Sequence, residues 1–195
     1  MNDDERMPDV LAMIAASCTA AVERRFEDAA VLAAQALESA PACLPALRTL
    51  AWAQLELGDE RALNTLQACS SYDPEDSLAH VGVAIFLQQR EQTEAAAHAW
   101  EQAWELDPHN QSIRRALVNL TGDLPDSPLA EGISLLRAER FEEAEALLES
   151  ASSARPAAAP LARLDALWGM GQWRRAFDLA VSVAVDQPRS VKAML

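Results

Sequence analysis

The sequence predicts an all-α solenoid of about five helical hairpins, with one extra helix unpaired near the middle. Three observations carry this expectation. The 195 residues are 50% hydrophobic but only 5% aromatic, and alanine and leucine dominate over β-branched residues, which favours helix over sheet. Apolar residues recur at helical spacing throughout, and no segment alternates as a half-buried strand does. Helix-ending prolines recur at Pro41, Pro74, Pro108, Pro156 and Pro188, at intervals of 33, 34, 48 and 32 residues. A fixed period of this length marks a repeat architecture. The long interval is close to one period plus 14 residues, one additional helix.

Taken in order, the first pair of helices spans 9–24 and 26–39. Leu11, Ile14, Cys18 and Val22 lie along the first, and the second, "RRFEDAAVLAAQALESAP", stops before Pro41. Proline has no N–H and disfavours helix in the residue before it, so it ends each second helix and starts the next turn. The second pair, 45–57 and 60–71, turns at Gly58; its "GDERALNTLQACSSYDP" is one residue short. The third pair, 76–89 and 93–106, ends in "QTEAAAHAWEQAWELDP", where the Trp100 and Trp104 stripe reads as core between helices. Helix 111–120 has no partner, and "TGDLPDSP" after it reads as a linker. The last pairs are 129–137 with 141–152, and 161–170 with 173–185, the latter turning at Gly171. Pro188 and the residues after it restart the pattern.

Aligned on the prolines, the five second helices fall into register. Twelve residues before each proline stands alanine: Ala29, Ala62, Ala96, Ala144 and Ala176. Five before stand Ala36, Cys69, Ala103, Ala151 and Val183. Phe26, Phe141 and Trp173 stand fifteen before three of them. Small residues let paired helices approach closely, and equal unit length lets neighbours stack. This pattern, with "WELDPHN" and "RFEEAEALL" among its segments, resembles the tetratricopeptide repeat (TPR), a helix–turn–helix unit of about 34 residues. The resemblance covers most of the chain. The glycine of the family's first helix survives only as Gly132; Ser17, Ala51, Ala84 and Leu164 hold the equivalent places. The resemblance implies a right-handed superhelix whose first helices line a concave, ligand-binding side. With the extra helix and linker, it suggests two subarrays, 1–121 and 122–195.

The formal charge is −14. Residues 1–110 hold 19 acids and 6 bases, a net −13, and residues 111–195 hold 11 acids and 10 bases, a net −1. No basic patch is present to neutralise phosphates, so nucleic acid is not an expected partner. An anionic membrane would repel the first half. The charge suits a solvated surface, or one that prefers basic partners. Cys18, Cys43 and Cys69 are far apart and form no Cys-x-x-Cys pair, which suits a reducing compartment. Residues 10–18, "VLAMIAASC", could be taken for a lipoprotein signal, but the leader "MNDDERMPD" is acidic where such a signal needs positive charge. No apolar run approaches the roughly 20 residues that span a bilayer. A cytoplasmic location is expected, and the arginine-rich, lysine-poor composition hints at a GC-rich bacterial genome.

Catalytic motifs are absent: there is no phosphate-cradling glycine loop, His-Glu-x-x-His or nucleophile elbow. His80, His98 and His109 share no metal-ligand spacing, and the carboxylates of "EEAEALLE" (142–149) have the spacing of a solvated helix face. No enzyme, cofactor or metal is expected. A surface remains. The part of each first helix not needed by its own hairpin holds Ile14 and Cys18, then Arg48, Trp52 and Leu55, then Val81, Ile85 and Gln88. It continues with Ile133, Leu136 and Arg137, then Asp165 and Trp168. These residues either pack between neighbouring first helices or line an apolar groove. The groove reading makes the chain a non-enzymatic protein-interaction scaffold that takes a peptide or helix, with Trp52, Val81 and Ile85 central and a partner carrying basic flanks. It lacks the Lys/Asn set by which some family members grip a C-terminal carboxylate. The alternative is a self-association module, or a segment of a longer TPR protein. Trp173, Phe177 and Val181 in the last hairpin have no visible cap, which suggests a homo-oligomer through that end.

Overall fold

The computed structural model describes residues 3–188, with side chains from residue 10 onward. The restart of the repeat after Pro188 lies outside the described residues. Among the described residues the chain forms eleven helices and no strand. They are α1 (Asp3–Val22), α2 (Phe26–Ser39), α3 (Leu44–Glu56), α4 (Ala62–Tyr72), α5 (Ser77–Gln88), α6 (Thr93–Leu106), α7 (Gln111–Thr121), α8 (Pro128–Arg137), α9 (Phe141–Ala151), α10 (Ala159–Gly169) and α11 (Trp173–Asp186). All follow the expected spans to within two residues except α1, which begins at Asp3 instead of residue 9. Its acidic opening suits a helix N-terminus.

Each hairpin turns in the same way. The residue at the turn adopts a left-handed conformation: Arg24, Gly58, Glu91, Glu139 and Gly171, with φ between 57° and 70°. Its N–H bonds back to the carbonyl three residues earlier, and the next N–H bonds five residues back. Arg25 N–H reaches Ala20 O at 2.8 Å, Asp59 reaches Gln54 at 2.8 Å, Gln92 reaches Leu87 at 3.0 Å, Arg140 reaches Leu135 at 3.0 Å and Gln172 reaches Leu167 at 2.9 Å. This is the Schellman closure of a helix C-terminus. Only two of the five left-handed residues are glycine, so three turns went unmarked in the sequence.

The second helices end differently. The residue before the proline donates the last N–H to the carbonyl four residues back: Ala40 to Ala36, Asp107 to Ala103, Arg155 to Ala151 and Gln187 to Val183. Its backbone is then extended, as at Asp107 (φ −137°, ψ 69°), because the proline ring excludes helix there. A first-type helix starts three residues after the proline, at Leu44, Ser77, Gln111 and Ala159. The unpaired α7 obeys this register. It is therefore the first half of a repeat whose second helix is missing.

The helices group into two compact units, Met1–Tyr72 and Asp73–Leu195, whereas the sequence suggested a division after residue 121. Within the first unit, α2 packs on α1 and α3, and α4 on α3. Ala29, Ala36 and Ala62 are fully buried between them, and Cys69 nearly so. Within the second unit, α6 packs on α5 and carries both α7 and α8; α9 follows on α8, α10 on α9 and α11 on α10. Trp100 and Trp104 are buried with Ile113 and Leu117 of α7, as expected of an inter-helical core. The linker 121–128 lies inside this unit, because α8 bypasses α7 and packs on α6.

At the position of the family's first-helix glycine, Ser17, Ala51 and Ala84 are fully buried. A Cβ on Gly132 would stand 2.7 Å from Leu148 Cγ and Cδ2, so a large residue on α9 occupies the space that glycine leaves. In the last hairpin the sizes are exchanged: Leu164 takes the glycine's place and Ala180 stands at the register of Leu148.

Candidate functional site

The sequence-predicted face divides between the two units. In the first, α1 and α3 lie side by side, joined by Cys18 Sγ and Thr49 Oγ1 at 3.4 Å. Cys18 and Arg48 are exposed and Ile14 is half-buried. Trp52 sits mid-helix on α3 and is 42% exposed. Leu55 differs: it is 3% exposed, and its carbonyl accepts the N–H of Gly58, so it belongs to the core and the turn.

In the second unit, Val81 and Ile85 of α5 are half-buried against the cluster around Trp100 and Trp104. Gln88 is exposed but occupied, its Oε1 accepting from Trp100 Nε1 at 2.9 Å. Ile133 and Leu136 of α8 are half-buried against the cluster around Leu148. These five residues pack partly as neighbours of their own cores. Trp168, at the end of α10, is 66% exposed and stands edge-on to Trp173 with ring centroids 4.5 Å apart. The structure thus brings Ile14, Cys18, Arg48 and Trp52 to the α1 and α3 faces. It keeps Leu55 inside and places Trp168 with the aromatic residues of the last hairpin.

No protein-family model and no curated protein matches the chain. Among solved structures it is similar to MamA, a TPR-like protein, with a TM-score of 0.51 at 15% identity over 93% of each chain. A MamA mutant is similar at a TM-score of 0.50 and 20% identity, over 93% of this chain and 99% of that one. The chain has a TPR-like helical-repeat fold. At these identities the likeness concerns the fold alone.

Within this TPR-like fold, one feature escaped the sequence and another was only partly marked by it. The first is a buried ionic clasp in the second unit. Glu105, near the end of α6, is 5% exposed. Its carboxylate accepts from Ser127 Oγ at 2.7 Å and from Arg155 Nε at 2.6 Å. Ser127 also caps α8, accepting from Ala130 N–H. Glu105 therefore ties α6 to the end of the linker and to the turn before α10. A cavity of about 190 Å³ opens beside it, lined by His80, Gln102, Glu105 and Arg155 among others. Burial pushes the His80 pKa down, against the pull of Asp76, a hydrogen bond with Gln102 and Glu105. Glu105 is engaged by Ser127 and Arg155 and His80 by Gln102, so the arrangement holds helices together.

The second feature is the outer side of α11. Trp173, Phe177, Val181 and Val185 are 55%, 68%, 50% and 75% exposed. They recur every four residues and form one apolar row. The sequence marked the first three as uncapped; the structure adds Val185 and joins Trp168 to the row.

Proposed function

We propose that the chain is a non-enzymatic protein-interaction scaffold whose first-helix face in residues 1–72 takes a peptide or helix of another protein. The observation that carries this reading is Trp52: a large aromatic side chain in the middle of α3, 42% exposed, beside exposed Cys18 and half-buried Ile14. A fully packed TPR-like hairpin needs no tryptophan there, and partly exposed aromatics are common anchors of binding surfaces. Helix-in-groove recognition uses apolar anchors at helical spacing, which Ile14, Cys18 and Trp52 supply. The net −13 of residues 1–110 favours a partner with basic flanks and speeds its association at low salt. Among the described residues no helix is long and apolar enough to cross a membrane, and a cytoplasmic setting is part of the proposal.

The test compares the wild type with Trp52→Ala in parallel affinity captures and thermal scans. A defined protein bound by the wild type and lost by the variant, with Tm lowered by less than about 4 °C, supports the reading. An identical set of captured proteins refutes it. A loss of several kcal/mol of stability would instead make Trp52 a core residue.

A further inference from the structure

We propose that the apolar row on α11 is an interface between two copies of this chain, crossing antiparallel about a two-fold axis. The preceding pair of helices shows what this face is for. On α9, Phe141, Glu145 and Glu149 occupy the register that Trp173, Phe177 and Val181 occupy on α11. All three are contacted by α10, which half-buries Phe141 and Glu145 and leaves Glu149 exposed. A Cβ on Gly169 of α10 would stand 2.6 Å from the Phe141 ring. Arg163 of α10 bonds Glu145 at 2.8 Å and Glu149 at 2.9 Å. The row on α11 is therefore the face against which a further helix packs. On α9 that face is largely charged and paired; on α11 every position is large and apolar.

Three observations select a second copy as the occupant. First, the area is adequate. Trp168, Trp173 and Phe177 are each 55–68% exposed, and aromatic side chains offer ~150–250 Å² apiece. With the two valines, a pair of such faces approaches the ~1,200 Å² at which specific interfaces begin.

Second, the charges of α11 are reversed against its own dipole. The second helices α2, α6 and α9 open on acids, Glu27 and Asp28, Glu94, and Glu142 and Glu143. α11 opens on Arg174 and Arg175 and closes on Asp186, the unfavourable order for a lone helix. Arg174, Asp178 and Asp186 are exposed and lie along the row adjacent to the apolar one. In an antiparallel two-fold pair this charged row meets its own copy on the same side. With the axis near residue 180, Arg174 lies about 9 Å from it in one copy and Asp186 about 9 Å from it in the other, on the same level. Arg175 is already paired with Glu145 of its own chain at 3.0 Å, so each copy supplies the acid that the other's Arg174 lacks. Third, residues 111–195 have a net charge of −1 against −13 for residues 1–110. Self-repulsion is thus weakest where the row lies.

The same geometry places Asp178 near its own copy across the axis, a like-charge contact that opposes association. The surface is separate from the Trp52 face, and its test is independent of partner binding. The full chain is examined by sedimentation velocity from about 1 to 200 µM, with circular dichroism to confirm folding. A monomer–dimer equilibrium is expected. Phe177→Asp should weaken it at least ~100-fold, since each dimer loses two central anchors; Val185→Asp, at a more exposed site, is the second variant should the first misfold. Arg174→Asp and Asp186→Arg should each weaken the dimer, their combination should restore it, and Asp178→Asn should tighten it. A strict monomer across the range overturns the proposal and leaves the face to a helix of another protein. So does a dimer indifferent to both apolar variants. Failure of the combined charge swap to restore association overturns the antiparallel arrangement.

Discussion

Removing the cation from the buried clasp should cost more than removing the charge of the anion. The Glu105 side chain is 6% exposed and that of Arg155 is 26% exposed. In Arg155→Ala the carboxylate stays inside with only Ser127 Oγ, at 2.7 Å. Breaking one side of a buried pair costs about 3–5 kcal/mol; the surviving serine bond places this case near the lower end, about 3 kcal/mol. For a chain of this length that is a Tm decrease of roughly 6–12 °C. Glu105→Gln keeps the shape; its single oxygen can accept from Arg155 Nε while its NH2 donates to Ser127 Oγ. The guanidinium, a quarter exposed, still reaches water and Glu101 at 3.5 Å, so the loss should be about 1 kcal/mol. Urea denaturation followed by circular dichroism at pH 7 measures both losses. Equal costs for the two variants would refute the reasoning.

Other expected outcomes concern the turns, the helix crossing and the histidine. Glu139 is exposed with φ 57°, so Glu139→Gly should relieve about 1–2 kcal/mol of left-handed strain less about 0.4–1 kcal/mol of chain entropy, raising Tm slightly. Gly58, with nothing within 4 Å of a Cβ, isolates the reverse effect: Gly58→Ala should lower stability in denaturant titration through its backbone alone. Gly132→Ala should destabilise despite its better helix propensity, worth about 1 kcal/mol, because Leu148 is fully buried and overpacking costs about 1–3 kcal/mol; an unchanged or raised midpoint in urea would show that α9 can yield. His80 has its folded pKa lowered by burial. The unfolded chain therefore takes up the proton first as pH falls below about 6.5, and stability should drop between pH 7 and the folded pKa; His80→Gln should flatten the Tm profile in that window.

The fold was legible because its punctuation is chemical. Proline cannot continue a helix, so Pro41, Pro74, Pro108, Pro156 and Pro188 fixed the period. The buried alanines followed from it, since only small side chains fit where two helices touch. What the sequence concealed is what chemistry does not force. A left-handed turn residue is favoured as glycine but tolerated as arginine or glutamate, so the turns at Arg24, Glu91 and Glu139 carried no mark. Glu105 resembles any solvated helix acid until Ser127 and Arg155, 22 and 50 residues away, are brought to it. The candidate face was legible only as a register. Cys18, Trp52, Ile85 and Ile133 each stand six residues before their turn residue, yet Trp52 and Cys18 are exposed while Ile85 and Ile133 are half-buried.

The row on α11 shows how a repeat turns register into a statement about burial. In an isolated amphipathic helix, Trp173, Phe177, Val181 and Val185 would be assigned to the core, for they recur at the spacing that makes a helix bury one face. In a solenoid each second helix has two faces to cover, one by its own hairpin and one by the next repeat. Ala176 and Val183 of α11 already serve the first: both are buried, and Val183 packs with Leu161 of α10. The apolar row belongs to the second, and the pairing of Arg163 with Glu145 and Glu149 identifies that face one repeat earlier. Hydrophobicity alone cannot separate the two faces; comparison between repeats can. A surface that is polar and paired within the array and wholly apolar at its last described helix is built for contact, and its reversed terminal charges specify the direction from which that contact comes.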